Sequence, residues 1–543
     1  MPNMPTMPSL DRFHPGGGKG GKRSMKGTWE KISVPPLPRS SHSVDIVAGT
    51  VYVFGGEVEP RKPVDNDMHA ITLPSSGAQA DYYAIKAKAP KKKQQRPATV
   101  VPTVVLPDAV VEEVNLNEND DITAKAADTK GKGVATGPDH LDLGDVPAPR
   151  IGHATAVIGH RIFLFGGRGG PDMKTALDES GRVWVFDTRT HLWSYLDPVS
   201  TTTTTSPVPE PRSYHAAVAT DKPRDFNQAS AHQRQRKQHK ETWRDWARGD
   251  SDAVGIPQRP IVGSVAEHAT DADSDGYGTL IIHGGCIADG KRAADVWAFD
   301  IHSRTWQRLP DAPGSARGGA ALALSRSRLY RYGGFDGERA EGGQLDYLEL
   351  AVDSFDDEFS AGEVAISARG GGWQSLIRGK ENVGYKEVDA AETPLAAAEN
   401  GEDGDWPGNR SVASLEAVAV GGGREYLVLA LGERDPSGAG HAAAGTFWDD
   451  VWAFQVPAQG MSLASVADTV FSVAGRKSGE GKWTKVEMGP HDDEDDGSLD
   501  GPGARGWVAS GTMGDLEENG IVIWGGLNAN NQRLGDGWIL RLS

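Results

Sequence analysis

The chain of 543 residues has a single cysteine, Cys286, so no internal disulfide can staple it and a reducing compartment is expected. No run approaches the ~20 apolar residues that span a bilayer. The amino terminus, M-P-N-M-P-T-M-P-S-L-D-R-F-H, lacks the apolar core of a secretory leader. Positive charge is short as well: 57 Lys and Arg stand against 75 Asp and Glu, a formal net charge of −18. Such a surface repels phosphates, which excludes general affinity for nucleic acid or anionic membranes. Sustained helical periodicity is scarce, whereas glycine is abundant at 69 residues, which favours a turn-rich β protein. A soluble, cytoplasmic protein is the expectation.

What is present is a repeat. Between Arg150 and Leu196 lie four short apolar runs, Ala154–Ile158, Arg161–Phe165, Val183–Phe186 and Leu192–Leu196, separated by turn residues. Their alternation and their β-branched and aromatic content suit half-buried strands. Gly166-Gly167 permits a corner with positive φ. Trp184 and Trp193 bring large apolar area to the last two strands. One four-stranded sheet cannot bury both its faces, so it needs neighbours of its own kind.

The sequence supplies them at 38–86, 149–197, 211–310, 316–377, 407–487 and 503–543. Each copy opens on an arginine and has an apolar run closing on glycine. The first copy has Tyr82-Tyr83 where a tryptophan is expected, and the fifth has L-G-E in place of Gly-Gly. The sixth stops before its tryptophan run, while an unassigned one, G-T-W-E-K-I-S over 27–33, lies near the start. If that first strand completes the last sheet, the array closes into a ring with no raw edge. Trp29 is then expected on the outer edge of the sheet that holds Trp538.

The repeated Arg-x-x-His, hydrophobic-Gly-Gly and Val-Trp-x-Phe-Asp…Trp resemble kelch repeats. The resemblance implies an all-β, six-bladed kelch β-propeller around a central channel, closed by the N-terminal strand and carrying long loop insertions. The stretch G-E-R-D-P-S-G-A-G-H…W-D-D-V-W-A-F-Q, from Gly432 to Gln455, is also similar to multi-blade kelch proteins of filamentous fungi. That likeness implies no particular activity.

Between the copies the composition changes. A tail over 1–26 and an insertion over 87–145, which holds K-K-K-Q-Q-R, read as disordered. Residues 225–250, inside the third copy, carry good helix formers and no proline, which predicts a surface helix. Residues 378–406 form an acidic, glycine-rich loop, and Asp492–Asp496 is a second acidic run.

In an up-and-down blade, the start of strand one, the turn after strand two and the end of strand four share one end. The opening arginines Arg39, Arg150, Arg212, Arg317, Arg410 and Arg505 therefore share a face with the glycine corners, as do the insertions at 87–145 and 378–406. The helix at 225–250 belongs on the opposite face. His42, His153 and His215 follow three residues after the first three arginines; later copies have Ala320, Ala413 and Val508 there. Guanidinium groups clamp oxyanions in bidentate fashion, so the ring is a candidate binding face. The bland alternative is that each arginine pairs inside the scaffold and staples the ring.

Glu433, Asp435 and His441 fall in one loop of the same face, and such oxygen and nitrogen donors suit a divalent metal. The kelch resemblance brings in the plant nitrile-specifier and thiocyanate-forming proteins, which use iron with a Glu, Asp and His spaced four apart, a spacing this sequence does not keep. Glu267 and Asp271 begin that spacing, but Asp275 stands where His belongs; for the Glu433–His441 loop a solvated turn around Pro436-Ser437-Gly438 is the plainer account, and no cofactor is assigned. Cys286 has no evident base and reads as a packed thiol. It follows a Gly-Gly, yet without a secretory leader it gives no support to a galactose-oxidase-like copper site. The overall expectation is a non-enzymatic binding scaffold that meets an unknown protein partner through the arginine face. The alternative is a small-molecule lyase, isomerase or cyclase at the channel mouth, with Fe(II) as a possible metal.

Overall fold

Turn chemistry, rather than helix-forming sequence, sets the architecture. The computed structural model describes residues 25–73, 80–91, 143–170, 173, 175–199, 207–221, 278–352, 366–378, 406–420, 424–438, 443–457, 481–489, 501–514, 517 and 519–543. Over these residues the chain forms six blade sheets, five of four antiparallel strands and a sixth of five, with one short 3₁₀ turn at Ala288–Gly290. The second blade runs outward through Ala154–Ile158, Arg161–Phe165, Val183–Asp187 and Leu192–Leu196, and the others repeat this order. The inner strands Ser43–Val47, Ala154–Ile158, Ala216–Thr220, Ala321–Ser325, Ser414–Val420 and Ala509–Thr512 adjoin one another in sequence, and the last adjoins the first. The result is a closed six-bladed propeller. Among the described residues no helix is long and apolar enough to cross a membrane.

The ring is sealed by the expected loan of a strand. Lys26–Ile32 lies antiparallel to Gly537–Leu542, with Trp29 opposite Leu540 and Lys31 opposite Trp538. Both tryptophans are buried in one cluster shared with the fifth blade. Unanticipated is the short strand Glu487–Gly489, which leaves the fifth blade and pairs in parallel with Lys26–Thr28. It caps the outer edge of the sixth sheet, which would otherwise offer unpaired backbone at the seam.

The core lies between blades. Phe163 and Phe165 of the second blade pack with Leu280, Trp297 and Trp306 of the third. The glycine corners allow this close approach. A Cβ on Gly166 (φ +63) would lie 2.6 Å from the Arg212 carbonyl of the next blade. The N–H of Gly167 donates to that same carbonyl at 2.8 Å. In the fifth blade Leu431 takes the first glycine's place at φ 62 and is fully buried. The left-handed backbone costs about 1–2 kcal/mol, and burying the side chain returns a comparable ~1.5–3 kcal/mol. Tyr82 and Tyr83, the expected stand-ins for a tryptophan, are exposed on the outer strand Asp81–Ile85, with Tyr82 stacked on His69. The helix expected at 225–250, most of the 87–145 and 378–406 insertions, and all but the last two residues of the tail lie outside the described residues.

Candidate functional site

The opening arginines turn inward, not outward. Their exposure runs from 0% at Arg150 to 8% at Arg317. Each donates through Nη1 to the carbonyl at its own blade's glycine corner: Arg39 to Gly55 and Arg150 to Gly166 at 2.9 Å, Arg212 to Gly284 at 3.0 Å. The same bond joins Arg317 to Gly333 and Arg505 to Gly525 at 3.1 Å, and Arg410 to Leu431 at 2.9 Å. In four blades a carboxylate completes the clasp: Glu179 for Arg150, Asp295 for Arg212, Asp450 for Arg410 and Asp536 for Arg505, each at 2.7 Å. Each of these carboxylates also accepts from an indole N–H, of Trp184, Trp297, Trp452 or Trp538, at 2.7–2.8 Å. Burial alone would raise Asp295, Asp450 and Asp536, but their arginines hold all three below the usual carboxylate range. Arg39 instead meets His69 at 3.2 Å. Arg317 has carbonyl partners at Gly333 and Ser315, and burial together with Arg331 lowers it to about 10.

The three histidines are equally internal, each 6% exposed. His153 and His215 pack edge-on against Phe54 and Phe165 of the preceding blade, and His153 Nε2 meets Ser43 Oγ at 3.1 Å. Burial, reinforced by Arg39 and Arg212, pushes His42 and His215 down to about 3, so both are neutral. The collar and half-ring are therefore turned into the blades rather than toward solvent.

What the arginine face does hold is a cup of about 340 Å³ at the channel mouth. Two repeated positions frame it, and most of their residues line it. One is the residue after each glycine corner: Glu57, Arg168, Cys286, Phe335, Glu433 and Leu527, which bridge to Ser40, Ile151, Ser213, Gly318, Ser411 and Gly506. The other is the second residue after each opening arginine: Ser41, Gly152, Tyr214, Gly319, Val412 and Trp507. All six have φ between 47 and 61, the left-handed region. Their N–H groups donate to one another's carbonyls in a closed circle, from Gly152 to Ser41 at 2.9 Å round to Ser41 to Trp507 at 3.4 Å.

The cup is chemically lopsided. Arg533 pairs with Glu57 at 3.0 Å, and both side chains are 4% exposed. Arg168 has its Nε on Ser213 Oγ at 2.9 Å and its guanidinium 5.2 Å from the Tyr214 ring centre. Arg292 stacks over Phe335 at 5.0 Å and donates to the Gly290 carbonyl at 3.3 Å. Among the described residues neither Arg168 nor Arg292 has a carboxylate partner. Cys286 lies between them; burial raises its thiol, with Arg292 and Arg168 pulling the other way, so it is a protonated thiol. Tyr214 and Trp507 come from opposite blades, and their rings meet edge to face with centres 5.4 Å apart.

Of the metal candidates, Glu433 is buried in the cup, where burial raises it to about 7. Asp435 is exposed, accepts from Thr446 at 2.8 Å and pairs with Arg434 at 3.5 Å. His441, like Glu267 and Asp271, lies outside the described residues. Among the described residues no three His, Cys, Asp or Glu are grouped so as to hold a metal ion.

Comparison with known proteins places the repeat on record. The family model described as Kelch motif matches residues 149–200. The chain is similar to N-(sulfonatooxy)prop-2-enimidothioate sulfolyase of Thlaspi arvense, 24% identical over 398 residues that span 72% of this chain and 92% of that protein. Among solved structures it is similar to that titled "Structure of YjhT", with a TM-score of 0.43, 11% identity, and coverage of 94% of this chain and 98% of the other.

Proposed function

We propose that this chain, a kelch-repeat β-propeller, binds a small oxyanion-bearing ligand in the cup at its channel mouth, with Arg168 and Arg292 as the cationic contacts. The propeller supports a binding role, since it holds many loops rigidly on one rim. Docking a protein through the arginine collar would need guanidinium groups at the surface, and those are spent inside the blades. One observation carries the reading: two guanidinium groups without carboxylate partners among the described residues face a cavity, while the third, Arg533, is neutralised by Glu57. Guanidinium is the group of choice for sulfate, phosphate and carboxylate, and the volume lies within the range of small-molecule sites.

The test is calorimetric titration with 4-nitrophenyl sulfate, whose charge is constant over ordinary pH. Wild type is expected to bind, and Arg168→Ala with Arg292→Ala is expected to weaken binding at least tenfold at unchanged thermal midpoint. Equal binding by the double variant would sink the proposal.

A second reading, lyase chemistry in the same cup, is favoured by the Thlaspi arvense relative, whose name is that of a sulfolyase. Incubation with an N-sulfonatooxy imidothioate would release inorganic sulfate if it holds. No release beyond the spontaneous rate removes the enzyme reading and leaves ligand binding standing.

A further inference from the structure

The floor of the cup is made by the two largest side chains that the left-handed circle carries. Gly152 and Gly319 occupy the left-handed circle without strain, but Tyr214 at φ 56 and Trp507 at φ 58 carry large side chains in the same conformation. Each costs about 1–2 kcal/mol relative to a relaxed backbone, and such outliers persist where structure around them is put to use. The blades of Tyr214 and Trp507 are third and sixth of six, so their side chains approach from opposite walls. Rings meeting at 5.4 Å and 83° therefore span the axis. Gly152 makes room for this: a Cβ there would lie 2.7 Å from the Tyr214 ring. The pair closes the channel below the cup and presents aromatic surface upward, with Phe335, Val412 and Leu527 adding apolar wall. Arg168 sits over Tyr214, which puts a cation beside this floor.

Resting on the anion-binding reading above, we infer that the ligand is an aryl oxyanion, a flat ring bearing sulfate, sulfonate or carboxylate, seated on the Tyr214–Trp507 floor with its charged group toward Arg168 and Arg292. A cup built for a bare inorganic anion needs the arginines alone. An aromatic floor adds favourable offset or edge contacts to a ring and little to a sulfate ion.

The experiment compares two probes, inorganic sulfate and 4-nitrophenyl sulfate, by calorimetry on the full chain. Wild type is expected to bind the aryl sulfate about tenfold or more tightly than sulfate. Trp507→Gly is expected to erase most of that margin while leaving sulfate affinity within about twofold. Tyr214→Gly is expected to do the same. Glycine already holds this position in two blades, so both variants are expected to keep the wild-type thermal midpoint. A ratio of aryl sulfate to sulfate affinity that is near one in wild type, or unchanged in both variants, overturns the aryl assignment alone. Binding of neither probe, or binding indifferent to Arg168→Ala with Arg292→Ala, overturns the anion reading beneath it as well.

Discussion

Asp45 and Glu416 occupy the same register of the first and fifth inner strands, each six residues beyond its blade's opening arginine. Both reach a hydroxyl of the next blade: Asp45 meets Thr155, and Ser510 Oγ donates to Glu416 at 2.7 Å. No cation among the described residues pairs with either. Burial raises both carboxyls to about 7, and Glu416 adds repulsion on Asp45. A carboxyl that titrates near 7 in the fold and near ~4 in the unfolded chain is protonated longer in the folded state. Its contribution is fully present below pH ~4, declines as pH rises, and is lost once pH passes about 7. The ceiling is ~4 kcal/mol for a three-unit gap, and solvent relaxation around the channel brings a working figure to ~2 kcal/mol. Asp45→Asn keeps a neutral group of the same shape. The variant is expected to match wild type only below pH ~4, to gain on it steadily as pH rises, and to be more stable at pH 8.5 by ~2 kcal/mol, a rise of a few degrees in thermal midpoint. Tryptophan fluorescence melts across that pH range read it directly. A difference between the two proteins that stays flat with pH, or a variant less stable at pH 8.5, refutes the argument.

The arginine clasps make a contrasting prediction. Arg212→Met leaves Asp295 buried without its partner and is expected to cost ~3–5 kcal/mol, whereas adding Asp295→Leu recovers part of the loss; urea midpoints of the single and double variants check this. The buried histidines act in the opposite pH direction to Asp45. With His215 held near 3 in the fold, the unfolded chain binds the extra proton between pH ~6.5 and 3, so stability falls as acid is added there. His215→Gln is expected to flatten that acid slope by about one proton's worth, measured as thermal midpoint from pH 6.5 to 4.5.

The propeller was legible because its determinants repeat. Trp29 at one end and the missing tryptophan run at the other specified a shared sheet without any long-range information beyond the pattern itself, and the strands pair accordingly. Leu431 shows where pattern reasoning weakens: the corner survives without its first glycine because a buried leucine offsets a left-handed backbone. The strand Glu487–Gly489 left no signal, since three residues of mixed polarity carry no period to detect.

The site was hard to see for the converse reason. Arginine in every blade attracts attention as a binding collar, yet a group required six times is required by the scaffold, and the clasp geometry says what for. Function has to sit where the copies differ while the backbone does not. Two residues beyond each opening arginine the conformation is the same in all six blades, and the side chains run from none at Gly152 to indole at Trp507. Immediately after each corner the backbone bridge is likewise constant, while the residue changes from Glu57 to Arg168 to Cys286 to Phe335. A fixed conformation carrying unlike side chains, some of them strained by it, is the pattern on which the proposed ligand cup rests. It is present in the sequence only after the repeats have been aligned on their glycine corners.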